Sequence, residues 1–135
     1  MFGKAPMNFL IQNRRNDIMK NIKYVGTRNK EITATASEAI LKGICEDGGL
    51  FIPEEFPVLD KSLEELSELS YQDLAYEILK LYLTDFTEEE LRYCINGAYD
   101  SKFDTPAIAP VVKKADVSIL ELFHGRTIAF KDMAL

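Results

Sequence analysis

Metal-ligating side chains are scarce in this chain. It has one histidine, His124, and two cysteines, Cys45 and Cys94, with no Cys-x-x-Cys spacing. A zinc site of the usual Cys/His kind lacks the ligands to form, so no metal is expected. A catalytic triad built on two histidines is excluded, and one built on a single histidine would need His124. Long apolar runs are also missing. Ile78 to Leu83 and Ile119 to Phe123 come closest, and each contains a charge (Lys80, Glu121). Neither approaches the roughly 20 residues that span a bilayer, so no membrane segment is expected. Positive charge is in deficit: 16 Lys and Arg stand against 22 Asp and Glu, a net of −6. That balance lacks the electrostatic footprint of a nucleic-acid binder.

What is present is a globular composition, 47% apolar and 28% charged. The 135 residues suffice for one ordinary domain, or one domain and a fragment. A chain of this length can bury roughly two-thirds of its unfolded surface. With few cysteines, it reads as a reduced cytoplasmic protein. Residues 1–18 stand apart. They hold Lys4, Arg14, Arg15 and Asp17, a net of +2, while the remainder carries −8. Met7 to Ile11 is apolar, but it is short, follows no basic region and ends in no small-residue cleavage site, unlike a signal peptide. Met7 and Met19 are alternative starts. The segment reads as a mobile leader, or as an artefact of cloning or of start-codon choice.

Along the chain, Ile22 to Val25 alternates as a strand would, and 26–29 reads as a turn. Thr35 to Glu38 is a capping box. The helix behind it should bury Ala39, Ile40, Gly43 and Ile44 and stop at Asp47-Gly48-Gly49. Leu50 to Ile52 suits a short buried strand ended by Pro53. Ser62 to Leu69 reads as a short helix with Leu63, Leu66 and Leu69 inward. Ser70 and Asp73 cap the next helix, whose stripe is Leu74, Ala75, Ile78, Leu79 and Tyr82. Thr87 to Glu90 is a further capping box, ahead of a face of Leu91, Cys94, Ile95 and Ala98. Both cysteines are expected to be buried small hydrophobes. Residues 99–110 read as a connection. Val111-Val112 and Ile119 to Leu122 read as strands about a turn at 113–116, and a helix begins near Ala129. The chain stops inside that helix, which reads as truncation.

Chemistry concentrates in Glu121 to Asp132, after a strand and before a helix. Loops at strand ends are where α/β folds place ligands. The sole histidine and Arg126 lie there. Lys131, beside Phe130 and Ala129, has apolar sequence neighbours. Desolvation would make its amine nucleophilic, although a solvated surface lysine is the commoner case.

The run Glu-Leu-Phe-His-Gly-Arg-Thr-Ile-Ala-Phe-Lys (121–131) resembles the pyridoxal-phosphate attachment motif of threonine synthases. Arg126 stands where that family has proline and Ile128 where it has leucine. Three upstream segments resemble the family in the same order. They are Tyr24-Val25-Gly26-Thr27-Arg28-Asn29, the stretch from Ala39 to Ile44 continued by Asp47-Gly48-Gly49-Leu50-Phe51-Ile52-Pro53, and Leu69-Ser70-Tyr71-Gln72-Asp73-Leu74-Ala75. The resemblance covers about residues 20–135.

It implies an α/β fold of the α+β kind. A helix-rich N-terminal domain (19–100) would lead into the catalytic body of a fold-type II pyridoxal-phosphate enzyme (101–135, incomplete). It implies conversion of the small molecule O-phospho-L-homoserine, with water, to L-threonine and phosphate. Lys131 would hold pyridoxal 5'-phosphate and shuttle protons, and Phe130 and Asp132 would shape the cofactor wall. Arg28, His124 and Thr127 are candidates for substrate contact, with Arg28 leaning to a structural role. The glycine-rich phosphate cradle and most substrate contacts are expected after residue 135, so the 135-residue piece should bind cofactor poorly and not turn over. Two alternatives stay open: a threonine-synthase-like phospholyase acting on another phosphorylated amine, and a non-catalytic domain that packs on a partner chain. Oligomeric state is not implied.

Overall fold

The computed structural model describes residues 21–133; the leader 1–18 lies outside them. The chain forms two compact units, each discontinuous in sequence. The first takes the residues up to Val58 together with Lys80–Thr87. The second takes Leu59–Leu79 and the residues from Glu88 on.

The first unit is organised on a three-stranded antiparallel sheet in the order β2-β1-β3. Its strands are β1 (Tyr24–Gly26), β2 (Thr33–Ala34) and β3 (Phe51–Pro53). Val25 faces Thr33 on one side and Ile52 on the other. Gly26 sets the end of β1, because a Cβ there would lie 2.6 Å from the Asn29 carbonyl oxygen. Helix α1 (Ala36–Lys42) follows β2. Its Thr35 cap accepts from the Glu38 amide while the Glu38 carboxylate accepts from the Thr35 amide, so the expected capping box forms. From the second half of this unit, Asp85 accepts from both the amide (3.0 Å) and the hydroxyl (2.6 Å) of Ser37. Burial would raise the Asp85 pKa, but the Ser37 bonds outweigh it and hold the carboxyl below the usual range. Val25, Ala34, Ala36 and Cys45 are buried.

The second unit contains α2 (Leu63–Ser67), most of α3 (Tyr71–Tyr82), α4 (Glu88–Ala98) and the hairpin β4 (Val111–Lys114) to β5 (Val117–Leu120). Ser62 and Glu65 form a capping box on α2, and Ser70 accepts from the Asp73 amide at the start of α3. Three glutamates open α4, suited to the positive end of the helix dipole. Leu66, Leu91, Ile95, Phe103 and Ile108 are buried. Tyr71 meets Tyr99 edge-on at 4.9 Å, and Arg92 lies 4.2 Å above the Tyr76 ring. No helix among the described residues is long and apolar enough to cross a membrane.

Several expectations are corrected. Helix α1 ends at Lys42, because Gly43 turns left-handed at φ 72° and caps it; Asp47-Gly48-Gly49 forms a separate turn. Ile40 and Ile44 are each 60% exposed, and Leu63 and Cys94 face solvent. A helical stripe says which residues share a side, not whether anything covers it. Strand β3 is not buried: Leu50 and Ile52 are exposed. The turn between β4 and β5 is only Ala115-Asp116, with Ala115 left-handed at φ 52°, so both strands extend further into it than the sequence suggests. The expected helix near Ala129 is a single 3₁₀ turn over Phe130–Met133 among the described residues.

Candidate functional site

The segment that runs from the end of β5 through the 3₁₀ turn, residues 121–133, gathers five of the six candidate residues. Its shape is set by polar closure. Asp132 reaches back over the loop: one carboxylate oxygen accepts from the Thr127 amide (2.7 Å), the other from the Thr127 hydroxyl (2.8 Å). This brings Asp132 so close to Gly125 that a Cβ at 125 would lie 2.5 Å from the Asp132 Cβ. Only glycine fits there. Ile128 sits at the tip with φ 59°, and its amide donates to the Gly125 carbonyl. A left-handed β-branched residue costs about 1–2 kcal/mol, so the loop holds strain at this point.

His124 lies between two carboxylates, Asp104 at 2.5 Å from Nδ1 and Glu121 at 2.8 Å from Nε2. Its side chain is 15% exposed. Hydrogen bonds to Glu121 and then Asp104 raise its pKa above the ordinary histidine value. Both nitrogens can donate to carboxylates only as the imidazolium, so the geometry and the shift agree. The His124 carbonyl also accepts from the Asp104 amide at 3.0 Å.

Lys131 is exposed, as is Phe130 (65%). The apolar enclosure expected for the Lys131 amine is therefore not formed by this loop. Thr127 and Asp132 spend their polar atoms on each other, and His124 on its two acids. Of the candidates in the loop, Lys131 is the one whose polar group is left available among the described residues. Arg28 belongs to the other unit, where its guanidinium donates to the Asp47 carbonyl at 2.7 Å and pins the Asp47-Gly48 turn. A cleft of about 330 Å³ in that unit, lined by Tyr24, Ala39, Ile40 and Phe51 among others, contains none of the candidates. Among the described residues no group of three or more acids, cysteines and histidines is placed to hold a metal ion.

Asp104 and Tyr99 were not foreseen as parts of this site, and Glu121, which opens the run, was not foreseen as a partner of His124. Glu121, three residues before His124, could have been suspected from spacing alone. Asp104 and Tyr99 lie 20 and 34 residues from the atoms they bind and carry no local signal.

Comparison with known proteins gives the loop its context. The family model "Threonine synthase N terminus" matches residues 23–99. The threonine synthase of Eremothecium gossypii is 43% identical over 122 residues, covering 83% of this chain and 24% of that protein. Threonine synthase-like 2 of Rattus norvegicus is 38% identical over 117 residues, again 83% and 24%. Among solved structures, the pyridoxal-phosphate-bound threonine synthase of Brucella melitensis aligns with a TM-score of 0.72 at 34% identity, over 82% of this chain and 24% of that one. The chain belongs to the threonine synthase family, of which it holds the N-terminal portion, and its mixed helix and strand fold is the one expected of an α/β fragment. It spans about a quarter of the length of the relatives it matches.

Proposed function

We propose that this chain is the N-terminal part of a pyridoxal-phosphate-dependent enzyme of the cytoplasm that converts O-phospho-L-homoserine and water to L-threonine and phosphate. The observation that carries the reading is the run Glu121 to Lys131, which ends in an exposed lysine with no partner among the described residues. The family match ending at Tyr99 also supports a boundary near residue 100, with the catalytic body beginning at 101.

The residues fit the cofactor at one point. Pyridoxal phosphate requires an amine for its aldehyde, and Lys131 offers one. The exposed ring of Phe130 supplies an apolar wall beside it. When bound, the cofactor supplies an electron sink for a substrate carbanion. Lys131 then holds or moves the proton at its Nζ. Asp132, Thr127 and His124 keep the loop in shape, and contacts to the cofactor phosphate come from residues outside 121–133.

Borohydride reduction of the polypeptide made from the whole reading frame, with pyridoxal phosphate present, should fix a pyridoxyl group on Lys131. A label on another lysine overturns the assignment. Lys131→Ala should abolish phosphate release from O-phospho-L-homoserine. The 135-residue chain alone should label little at micromolar cofactor. Because threonine synthase-like 2 is also a relative, the substrate panel includes other phosphorylated amines. Phosphate release from one of those, without threonine formation, would make the protein a phospholyase of the same family.

A further inference from the structure

The loop that carries Lys131 is tied at both ends to one short stretch of chain. At the near end, Asp104 holds His124 twice: its amide donates to the His124 carbonyl, and its carboxylate accepts from Nδ1. At the far end, the Tyr99 hydroxyl donates to the Met133 carbonyl at 2.7 Å. Between these anchors lie Gly125, Thr127, Lys131 and Asp132. Tyr99 and Asp104 are themselves fixed. Gln72 on α3 donates to the Tyr99 carbonyl at 2.6 Å, the Tyr99 ring packs between Tyr71 and Phe103, and Phe103 is buried. All of these residues lie in the second unit.

We propose that the connection Tyr99–Asp104 positions the Lys131 loop from both ends, Asp104 acting through His124 and Tyr99 through the Met133 carbonyl. Asp104 and Tyr99 are thus positioning residues for the lysine. This rests on the reading of Lys131 as the reactive group, but the scaffold can be tested without it.

The two anchors differ in kind. The Tyr99 bond joins two uncharged groups. The His124 clasp is ionic. The charged groups acting on His124 are Asp104 from the connection and Glu121 from the end of β5. Because the folded pKa is raised, the clasp contributes fully below the ordinary value of about 6.5, and that contribution is lost as pH rises through the raised value. The near end of the loop therefore loosens as pH rises through that value.

The test uses the ¹⁵N-labelled 135-residue chain, where the single histidine makes the ring signals unambiguous. His124 should titrate above a free-peptide histidine, with both ring nitrogens protonated below that midpoint. The amide signals of Gly125 and Thr127 should follow the same midpoint. Asp104→Asn should lower that midpoint and leave the amide signals of β1 and β3 in place. Tyr99→Phe should leave the midpoint alone but speed exchange of the Ile128 and Asp132 amides by about 3- to 10-fold, the worth of one hydrogen bond. A parent midpoint equal to that of free histidine, or one that Asp104→Asn does not move, overturns the near anchor. Unchanged exchange in Tyr99→Phe overturns the far one. Borohydride labelling of Lys131 is read separately. If the anchors behave as stated but another lysine takes the label, the proposed function fails and the scaffold stands; the reverse result removes the scaffold alone.

Discussion

The two β elements of this chain are held together by different forces. In the first unit, β1 is the central strand of three, Val25 and Ala34 are buried, and the Thr27 amide and hydroxyl bond both backbone groups of Leu50. In the second, β4 and β5 form a two-stranded ribbon whose residues are almost all exposed. A lone hairpin is marginal in water. The order that follows it, in residues 121–133, comes instead from polar closure and from tethers to a distant connection. One region is specified by burial, and the other by hydrogen-bond partners.

This difference can be broken by paired substitutions. The largest effect should come from Val25→Ala, which empties a buried site and should cost about 2 kcal/mol in denaturant unfolding. Ile119→Ala in β5, where the side chain is exposed, should cost under about 0.5 kcal/mol. Equal costs would show that the hairpin face is covered in solution. Next is Gly125→Ala. Its added Cβ collides with Asp132, and overpacking of this kind costs about 1–3 kcal/mol. Limited proteolysis should then cut within 121–133 before it cuts the first unit. Thr35→Ala removes the α1 cap and should cost about 1 kcal/mol, read as a fall in thermal midpoint. Of opposite sign is Ile128→Asn. Asparagine tolerates the left-handed region, so stability should rise by up to about 1 kcal/mol. A loss instead would mean that the isoleucine side chain has a partner.

Local chemistry was legible in the sequence. The Thr35–Glu38 box and the Ser70–Asp73 pair form as read, because a cap involves only residues three apart. The strand near residue 24 is legible from alternation, and those near 51, 111 and 119 from short apolar runs beside a proline or a turn. Burial was not legible. Ile40, Leu63 and Cys94 sit on apolar stripes yet face solvent, while Phe103 and Ile108, inside a stretch read as a mere connection, are among the most buried side chains. Strand β2 was missed because two residues are too short to show a period. At the candidate site, the motif drew attention to residues 121–132, but it could not show that Thr127 and Asp132 bond each other. Nor could it show that Asp104 holds His124. Contacts across twenty or more residues are made by the fold and leave no spacing to read.

The division of the chain has a consequence for synthesis. The first unit needs Lys80–Thr87 to be complete, and Asp85 from that segment braces the start of α1. The N-terminal unit therefore cannot finish folding when Val58 leaves the ribosome. It must wait until Leu59–Leu79, which belongs to the other unit, and then Lys80–Thr87 have emerged. Domains usually fold in the order in which they emerge. Here the earliest sequence is closed by a later one, so a nascent chain halted near residue 60 would leave β1, β2 and α1 without their last brace and open to chaperones and proteases.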